Sequence, residues 1–260
     1  MARLLGALIV AAGVGGVVVA LSDRNGAPRR PAPVVRRHRG SRPPAAKAGP
    51  RVMTIGHSVH HRPIRAVLVG DARARRSVLV VGCIHGNEQA GISVARRLAT
   101  GVSSPGTALW IVPVLNPDGA AAGTRQNADQ VDLNRNFPYR WRPLGSRGSL
   151  QYSGPRSLSE PEARAARRLI LRVRPQISIW FHQPLGLVDL SGGNAAVERR
   201  FAQLTGLATM RLTRYPGSAV GWENWRLPGT TAFVVELPAG PLAPLRAARL
   251  AAAVRRLARG

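Results

Sequence analysis

The sequence is poor in several residue types, and each shortage argues against a class of protein. Cys83 is its only cysteine, so no intramolecular disulfide can form. Lys47 is its only lysine, so nearly all the positive charge behind a net charge of +26 is carried by arginine. Aromatic residues are 5% of the chain, too few for the stacking surfaces that single-stranded nucleic acids need. We therefore expect no nucleic-acid partner, and we assign the basic surplus to an Ala-, Gly-, Pro-, Val- and Arg-rich composition.

Long apolar runs are also scarce, and the one at the N-terminus indicates a targeting segment. Residues 4–21 form an apolar stretch of 18 residues, a length between that of a signal peptide and that of a spanning helix. Ala20-Leu21-Ser22 is a small-x-small cleavage pattern, which favours a signal peptide. The Arg-dense segment that follows opposes translocation under the positive-inside rule, and a helix that stays in the membrane as an anchor is the alternative. The sequence predicts a signal peptide or membrane anchor over 1–21, with membrane contact through 4–21 in the second case.

The rest of the chain divides into a linker and one domain. Residues 22–50 are rich in Pro and Arg and have no hydrophobic periodicity, so they cannot bury enough apolar surface to offset chain entropy. We predict a disordered linker there. Residues 51–260 are the right length for a single domain with one core.

Within residues 51–260, strand and helix patterns alternate. Such alternation predicts an α/β fold with three layers, α/β/α, around a mixed, mostly parallel sheet. Ser159, with Glu162 three residues later, is a candidate capping box for one helix. An antiparallel pair is expected over 51–58 and 64–70, buried central strands over 77–84, 108–115, 177–181 and 231–237, and helices near 89–100, 159–173, 195–206 and 241–259.

Polar side chains stand at or just beyond the ends of three of the apolar strands. His85 and Glu88 follow the first, His182 ends the second, and Glu236 ends the third. Ligands collect at the carboxyl ends of strands in open α/β sheets. Two imidazoles and one carboxylate, with a fourth position open, are the ligand set of a hydrolytic zinc site, and a further Glu can act as general base.

The segment between these strands carries a more specific pattern. Residues 116–138 read NPDGAAAGTRQNADQVDLNRNFP, and HGNE, NPDG, an Arg, DLNRNFP, a later His, a Tyr and ELP follow one another along the chain. This order resembles that of the zinc carboxypeptidase family over about residues 51–240. The phrases PYRWRPLG, GSLQYSGPRSLSEPE and FHQPLGLVDLSGG are similar to its murein peptide amidase branch.

The resemblance implies a role for each matched residue. His85, Glu88 and His182 would hold one zinc ion. Glu236 would take a proton from water and later return it to the leaving amine, and Arg125 would polarise the scissile carbonyl and stabilise the oxyanion.

The resemblance also implies a substrate-binding set. Asn134 and Arg135 would grip the free α-carboxylate of the substrate, which a guanidinium fork suits. Tyr215 would close over the substrate. Asp132 and Asn136 we interpret as scaffold, bonded to nearby backbone, and NPDG at 116–119 as a turn.

The resemblance implies the substrate. That substrate, the apolar stretch 4–21 and Ala20-Leu21-Ser22 together favour a location outside the cytoplasmic membrane over a cytoplasmic one. We expect a peptidoglycan-derived peptide cut between γ-D-glutamate and meso-diaminopimelate, with the catalytic domain exported and either secreted or membrane-anchored. Glu223, Arg211 and Arg214 are candidates for reading the diaminopimelate side chain, although ordinary surface charges explain them better. Asp189 we interpret as structural.

Two other functions remain open at this point. An N-acyl amino acid deacylase of the aspartoacylase type shares HGNE and DLNR, but NFP after DLNR and ELP around Glu236 fit a carboxypeptidase better. A metal-free binder of cell-wall peptides would have no use for the base Glu236. The sequence carries no indication of oligomeric state.

Overall fold

The computed structural model describes residues 49–213 and 215–260. The predicted segment 1–21 and nearly all of the predicted linker 22–50 lie outside these residues, so both stay predictions. In the described part of the chain, no helix combines the length and apolar character needed to cross a membrane.

The fold is built on one sheet of eight strands. Its spatial order is β1-β2-β4-β3-β5-β8-β6-β7. The central pairs β4/β3, β3/β5 and β5/β8 are parallel, whereas β1/β2, β2/β4 and β8/β6 are antiparallel. The strands are β1 Arg51–His57, β2 Pro63–Gly70, β3 Arg76–Val81, β4 Thr107–Val112, β5 Ile177–His182, β6 Leu185–Asp189, β7 Ala208–Met210 and β8 Thr231–Pro238.

Helices cover the two faces of this sheet and complete three layers. The core on one face contains residues of α1, α4 and α6, and the core on the other contains residues of α3 and α5. The predicted fold class is confirmed. The helices are α1 Ala90–Ala99, α2 Pro117–Ala122, α3 Pro161–Val173, α4 Ala195–Thr205, α5 Ala219–Arg226 and α6 Pro244–Arg259.

Burial explains why the central strands were recognisable in the sequence. All six residues of β4 are buried, as are five of six in both β3 and β5. Strands covered on both faces consist of continuous apolar runs instead of alternating ones. Because β3, β5 and β8 are parallel, their carboxyl ends meet at one edge of the sheet, and the loop after β3 lies beside the ends of the other two.

Four elements were not expected: α2, β6, β7 and α5. The NPDG segment, interpreted as a turn, is the start of α2, where the Asn116 side chain accepts a hydrogen bond from the Gly119 amide at 2.9 Å. The candidate capping box is also wrong. Glu160 occupies the N-cap position of α3 without a side-chain cap, and Glu162 turns inward to accept from the Val59 amide at 3.1 Å.

Candidate metal centre

Three side chains converge at the carboxyl edge of the sheet, and they are the three predicted zinc ligands. His85 and Glu88 lie in the loop between β3 and α1, and His182 is the last residue of β5. Their ligand atoms all lie within 4.8 Å of one another, and all three residues are buried. The Nδ1 atoms of the two histidines are 3.1 Å apart, and each is 2.9 Å from an oxygen of Glu88.

These separations fit a zinc ion. Tetrahedral ligands at zinc bond lengths of 2.0–2.1 Å are about 3.3 Å from one another, close to the separations seen here. The His85 ring is also oriented for metal binding, because its Nε2 lies 2.9 Å from Asp132 Oδ1. A proton on Nε2 leaves Nδ1 as the free nitrogen that faces Glu88 and His182. Such a carboxylate behind a histidine is the common support of a metal ligand.

The protonation of the cluster is set by its carboxylates. Burial raises the pKa of Glu88, but hydrogen bonds from His182 and His85 outweigh it and hold that pKa well below its usual range. Burial lowers the pKa of His85, yet Asp132 and Glu88 outweigh it and the pKa is raised. Glu88 is therefore an anion, the form in which a carboxylate binds a metal ion.

Glu236 lies beside this cluster on the next strand. It is the β8 residue in register with His182 on β5. Its Oε2 is buried and has no hydrogen-bond partner among the described residues. Burial, the largest cause, and the nearby Glu88 raise the pKa of Glu236 although His182 opposes the shift. A carboxylate with one oxygen unengaged and a raised proton affinity suits a general base.

Arg125 joins the cluster from the loop after α2. Its Nη1 donates to Glu88 at 2.9 Å, and its Nε and Nη2 donate to Asp132 at 3.1 and 3.0 Å. The side chain keeps 22% of its surface exposed. Arg125 therefore presents its guanidinium at the wall of the site while two carboxylates hold its position.

The predicted carboxylate-binding residues lie nearby. Arg135 is buried, and its Nε has no hydrogen-bond partner within the described residues. Its guanidinium stacks on the Tyr215 ring at 4.1 Å from the ring centroid. Asn134 accepts from the Ala219 amide at 2.9 Å, which ties it to the start of α5. Gly217, with φ of +75°, lets this loop approach Arg135, because a Cβ there would lie 2.0 Å from the Arg135 carbonyl oxygen.

A single cleft of about 490 Å³ is lined by all eight predicted site residues. The structure brings every one of them together. Its walls come from the loops after β3 and α2, the 3₁₀ turn Leu133–Arg135, the ends of β5, β6 and β8, and the start of α5.

Several roles differ from those expected from the sequence. Asp132 does accept from a nearby amide, that of Asn134 at 2.9 Å, but it also orients His85 and Arg125. A metal-binding histidine needs an acceptor for its second nitrogen, and that requirement could have identified Asp132. Asn136 bonds to residues that are distant in the sequence, because its side chain donates to the Ser153 carbonyl and accepts from the Glu160 amide.

The candidates for reading the substrate side chain also change. Glu223 is fully buried, where it accepts from Ser178 and Trp180, so it is neither a surface charge nor part of the cleft. Arg211 is exposed and outside the cleft, and Arg214 lies outside the described residues. Cys83 is buried as expected, and burial raises the pKa of its thiol to about 12.

Close packing around the first ligands explains a glycine in HGNE. A Cβ on Gly86 would lie 1.9 Å from the backbone carbon of Gly119 in α2. Only glycine therefore allows α2 to pack against the loop that carries His85 and Glu88.

Comparisons with known proteins identify the family of this chain. The zinc carboxypeptidase profile matches residues 47–188. Murein peptide amidase A of Escherichia coli (strain K12) is 35% identical over 130 residues, which cover 45% of this chain and 53% of that protein. Murein peptide amidase A of Vibrio campbellii (strain ATCC BAA-1116) is 35% identical over 179 residues, 62% of this chain and 68% of that protein.

A solved structure supports the same assignment. The crystal structure of a murein-tripeptide amidase from Escherichia coli O157 matches with a TM-score of 0.63 and 27% identity, over 84% of this chain and 96% of that chain. The match to the Escherichia coli K12 relative spans about half of that relative's length. The family resemblance seen in the sequence is confirmed: this chain belongs to the zinc carboxypeptidase family of hydrolases.

Proposed function

We propose that this protein is a zinc-dependent metallocarboxypeptidase or amidase that hydrolyses a C-terminal amide bond. The observation that carries the proposal is the convergence of His85, Glu88 and His182 beside Glu236, whose Oε2 is unengaged. When bound by the three ligands, zinc supplies Lewis acidity, which lowers the pKa of water and polarises a carbonyl.

The residues of the chain supply the proton transfer and the charge stabilisation. Glu236 takes the proton of the attacking water as the oxygen–carbon bond forms. It then delivers that proton to the leaving nitrogen as the carbon–nitrogen bond breaks. Arg125, held by Glu88 and Asp132, places its guanidinium where the carbonyl oxygen gains negative charge.

The position of Arg135 supports an exo-acting enzyme. A buried guanidinium with an unengaged Nε suits a free carboxylate at the end of a substrate. The stacked Tyr215 ring is 41% exposed and can cover a bound ligand.

For the substrate, we infer a peptide derived from peptidoglycan, cut between γ-D-glutamate and meso-diaminopimelate. The two relatives and the protein of the solved structure are named as enzymes that act on murein peptides, and these names support the inference. The cleft also fits a small or branched peptide, because its volume is that of a site for a small ligand.

Product analysis tests this function. The purified, zinc-loaded protein would be incubated with L-Ala-γ-D-Glu-meso-diaminopimelate and, separately, with N-acyl amino acids, and the products weighed by mass spectrometry. Release of diaminopimelate supports the proposal. Cleavage of acyl amino acids alone would instead indicate the aspartoacylase-type deacylase, and binding without any cleavage would indicate a binder of cell-wall peptides.

We further propose that the catalytic domain acts outside the cytoplasmic membrane. The apolar segment 4–21 and the small-x-small pattern at Ala20-Leu21-Ser22 support export, whereas the Arg-dense flank opposes it. Residues 1–50 fused to a reporter that is active only outside the membrane should give signal. A silent reporter, with a cytoplasm-only reporter active at the same junction, would overturn this location.

A further inference from the structure

We propose that Asp189 selects substrates whose leaving residue carries a positively charged amino group at the far end of its side chain. The inference rests on the proposed function and extends it, because it assigns a residue to side-chain recognition. Asp189 is the last residue of β6 and contributes to the lining of the cleft. The cleft has two other carboxylates, Glu88 and Glu236, and both belong to the catalytic cluster.

Strand register places Asp189 on the same sheet face as the general base. Leu187 on β6 pairs with Glu236 on β8, and Val188 pairs with Val235. Continuing this antiparallel register by one residue sets Asp189 opposite Val234. Side chains two residues apart on a strand share a face, so Val234, Glu236 and Asp189 all face the cleft, which each of them lines.

The same register gives the distance of Asp189 from Glu236 along the strands. Val234 lies two residues before Glu236, a separation of about 7 Å along the strand. A substrate bond positioned at Glu236 would therefore have its leaving side chain pass along β8 towards Asp189. That span is comparable with a four-carbon stem ending in an ammonium group.

The charge of Asp189 has no cationic partner in the described part of the chain. Asp189 is only 5% exposed. Residues 49–213 and 215–260 nevertheless contain no Arg or His nitrogen within ion-pair distance of its carboxylate. Its bonds are neutral: the Ser191 and Leu212 amides donate to Oδ1 at 2.8 and 2.9 Å, and the Ser191 hydroxyl donates to Oδ2. Buried charges are ordinarily paired, so a substrate cation would complete this site.

The charges of the cleft are arranged for a residue with two unlike ends. Arg135 is the proposed site of the free α-carboxylate, and Asp189 lines the same cleft together with the neutral residues Ser191, Leu212 and Val234. A leaving residue with a carboxylate at its α-carbon and an ammonium group at its far end matches both charges. Lysine and meso-diaminopimelate have this arrangement, whereas norleucine and 2-aminopimelate lack the distal amine.

Four peptides of the form L-Ala-γ-D-Glu-X test the assignment, with X as meso-diaminopimelate, 2-aminopimelate, lysine or norleucine. We expect the full-length, zinc-loaded enzyme to show kcat/KM at least about tenfold higher for each amine than for its amine-free analogue, since a charge-assisted hydrogen bond is worth that much. Asp189→Asn should remove this preference by lowering kcat/KM on the two amines, with the neutral analogues changed about twofold or less. Asp129→Asn, the same chemical change at a residue outside the cleft, should retain the preference.

The outcomes separate this inference from the proposed function. Equal rates of wild type on all four peptides would overturn the inference alone, as would an unchanged preference in Asp189→Asn. An equal loss on all four peptides would show that Asp189 only shapes the loop, which also overturns the inference. No cleavage of any peptide would overturn both the proposed function and the inference.

A second readout needs no substitution, in case Asp189→Asn does not fold. Free lysine should inhibit the wild-type enzyme at a concentration at least about tenfold lower than free norleucine, for the same reason. Equal inhibition by the two amino acids would contradict the inference.

Discussion

Asp132→Asn tests whether the carboxylate behind the metal centre does what its contacts indicate. Asp132 is fully buried, and Oδ1 lies 2.9 Å from both His85 Nε2 and the Asn134 amide. Oδ2 accepts two bonds from Arg125. Asparagine has nearly the same shape but one acceptor oxygen. If that oxygen stays with His85, the new NH₂ group faces the N–H groups of Arg125, and one of the two interactions is lost.

The size of the effect follows from these contacts. Removing the acceptor behind a metal-binding histidine typically lowers metal affinity about 10- to 100-fold, or about 1.4 to 2.7 kcal/mol. If the one remaining acceptor oxygen bonds to Arg125 and not to His85, the affinity for zinc falls. If it keeps His85, zinc affinity is preserved and the loss moves to turnover, because Arg125 is no longer held at the carbonyl. Either the affinity for zinc or the turnover at saturating zinc should therefore fall at least about tenfold.

The assay is zinc titration against a competing chelator, followed by kinetics at saturating zinc. Asp129→Asn makes the same chemical change three residues earlier, at a partly exposed position, and should behave as wild type. The reasoning would be refuted by an Asp132→Asn protein that is folded, binds zinc with wild-type affinity and turns over substrate at the wild-type rate.

Other expected results follow from the same geometry. His182→Ala should lose stoichiometric zinc by metal analysis, and full retention would rule out the proposed ligand set. Glu236→Gln should keep zinc and substrate binding but lose about 10²–10⁴-fold in turnover, since a positioned base contributes that much; near-normal kcat would point to another base. Amidating the substrate's terminal carboxylate should abolish most binding at Arg135, whereas equal rates on free and amidated peptides would indicate an endopeptidase. Burial raises the pKa of Glu223 to about 7, so between about pH 4.5 and 7 the folded state keeps a proton that the unfolded state releases. Glu223 should therefore contribute a fall in stability of about 3 kcal/mol as pH rises through this window, and Glu223→Gln should reduce the difference between denaturant unfolding at pH 5 and pH 8 by about that amount. The part that remains in the variant includes Glu162, whose pKa burial also raises to about 7. The same pH dependence in both proteins would contradict the shift.

Much of the fold could be predicted because the strong patterns are local. The apolar runs of β3, β4, β5 and β8 identify themselves as strands covered on both faces. The short edge strand β7 is exposed at all three residues, so no hydrophobic pattern marks it. Helix α2 is six residues long and starts at an Asn-Pro pair, which has the same local chemistry as a turn.

The candidate site was predictable to the extent that its residues stand at strand ends or in the DLNRNFP motif. His85, His182 and Glu236 each follow an apolar run, and parallel strands bring such ends to one edge. The sequence alone therefore determined the ligand set and the general base as a hypothesis.

Only the tertiary structure decided which distant residues share a contact. Asp132 lies 47 positions from His85, and no local pattern joins them. Glu223 reaches Ser178, 45 positions away, so its burial could not be read from its own helix. Asp189 faces the cleft because β6 pairs antiparallel with β8, a pairing between strands that are not consecutive. Periodicity reports which residues are buried, whereas strand order and register decide which buried residues meet.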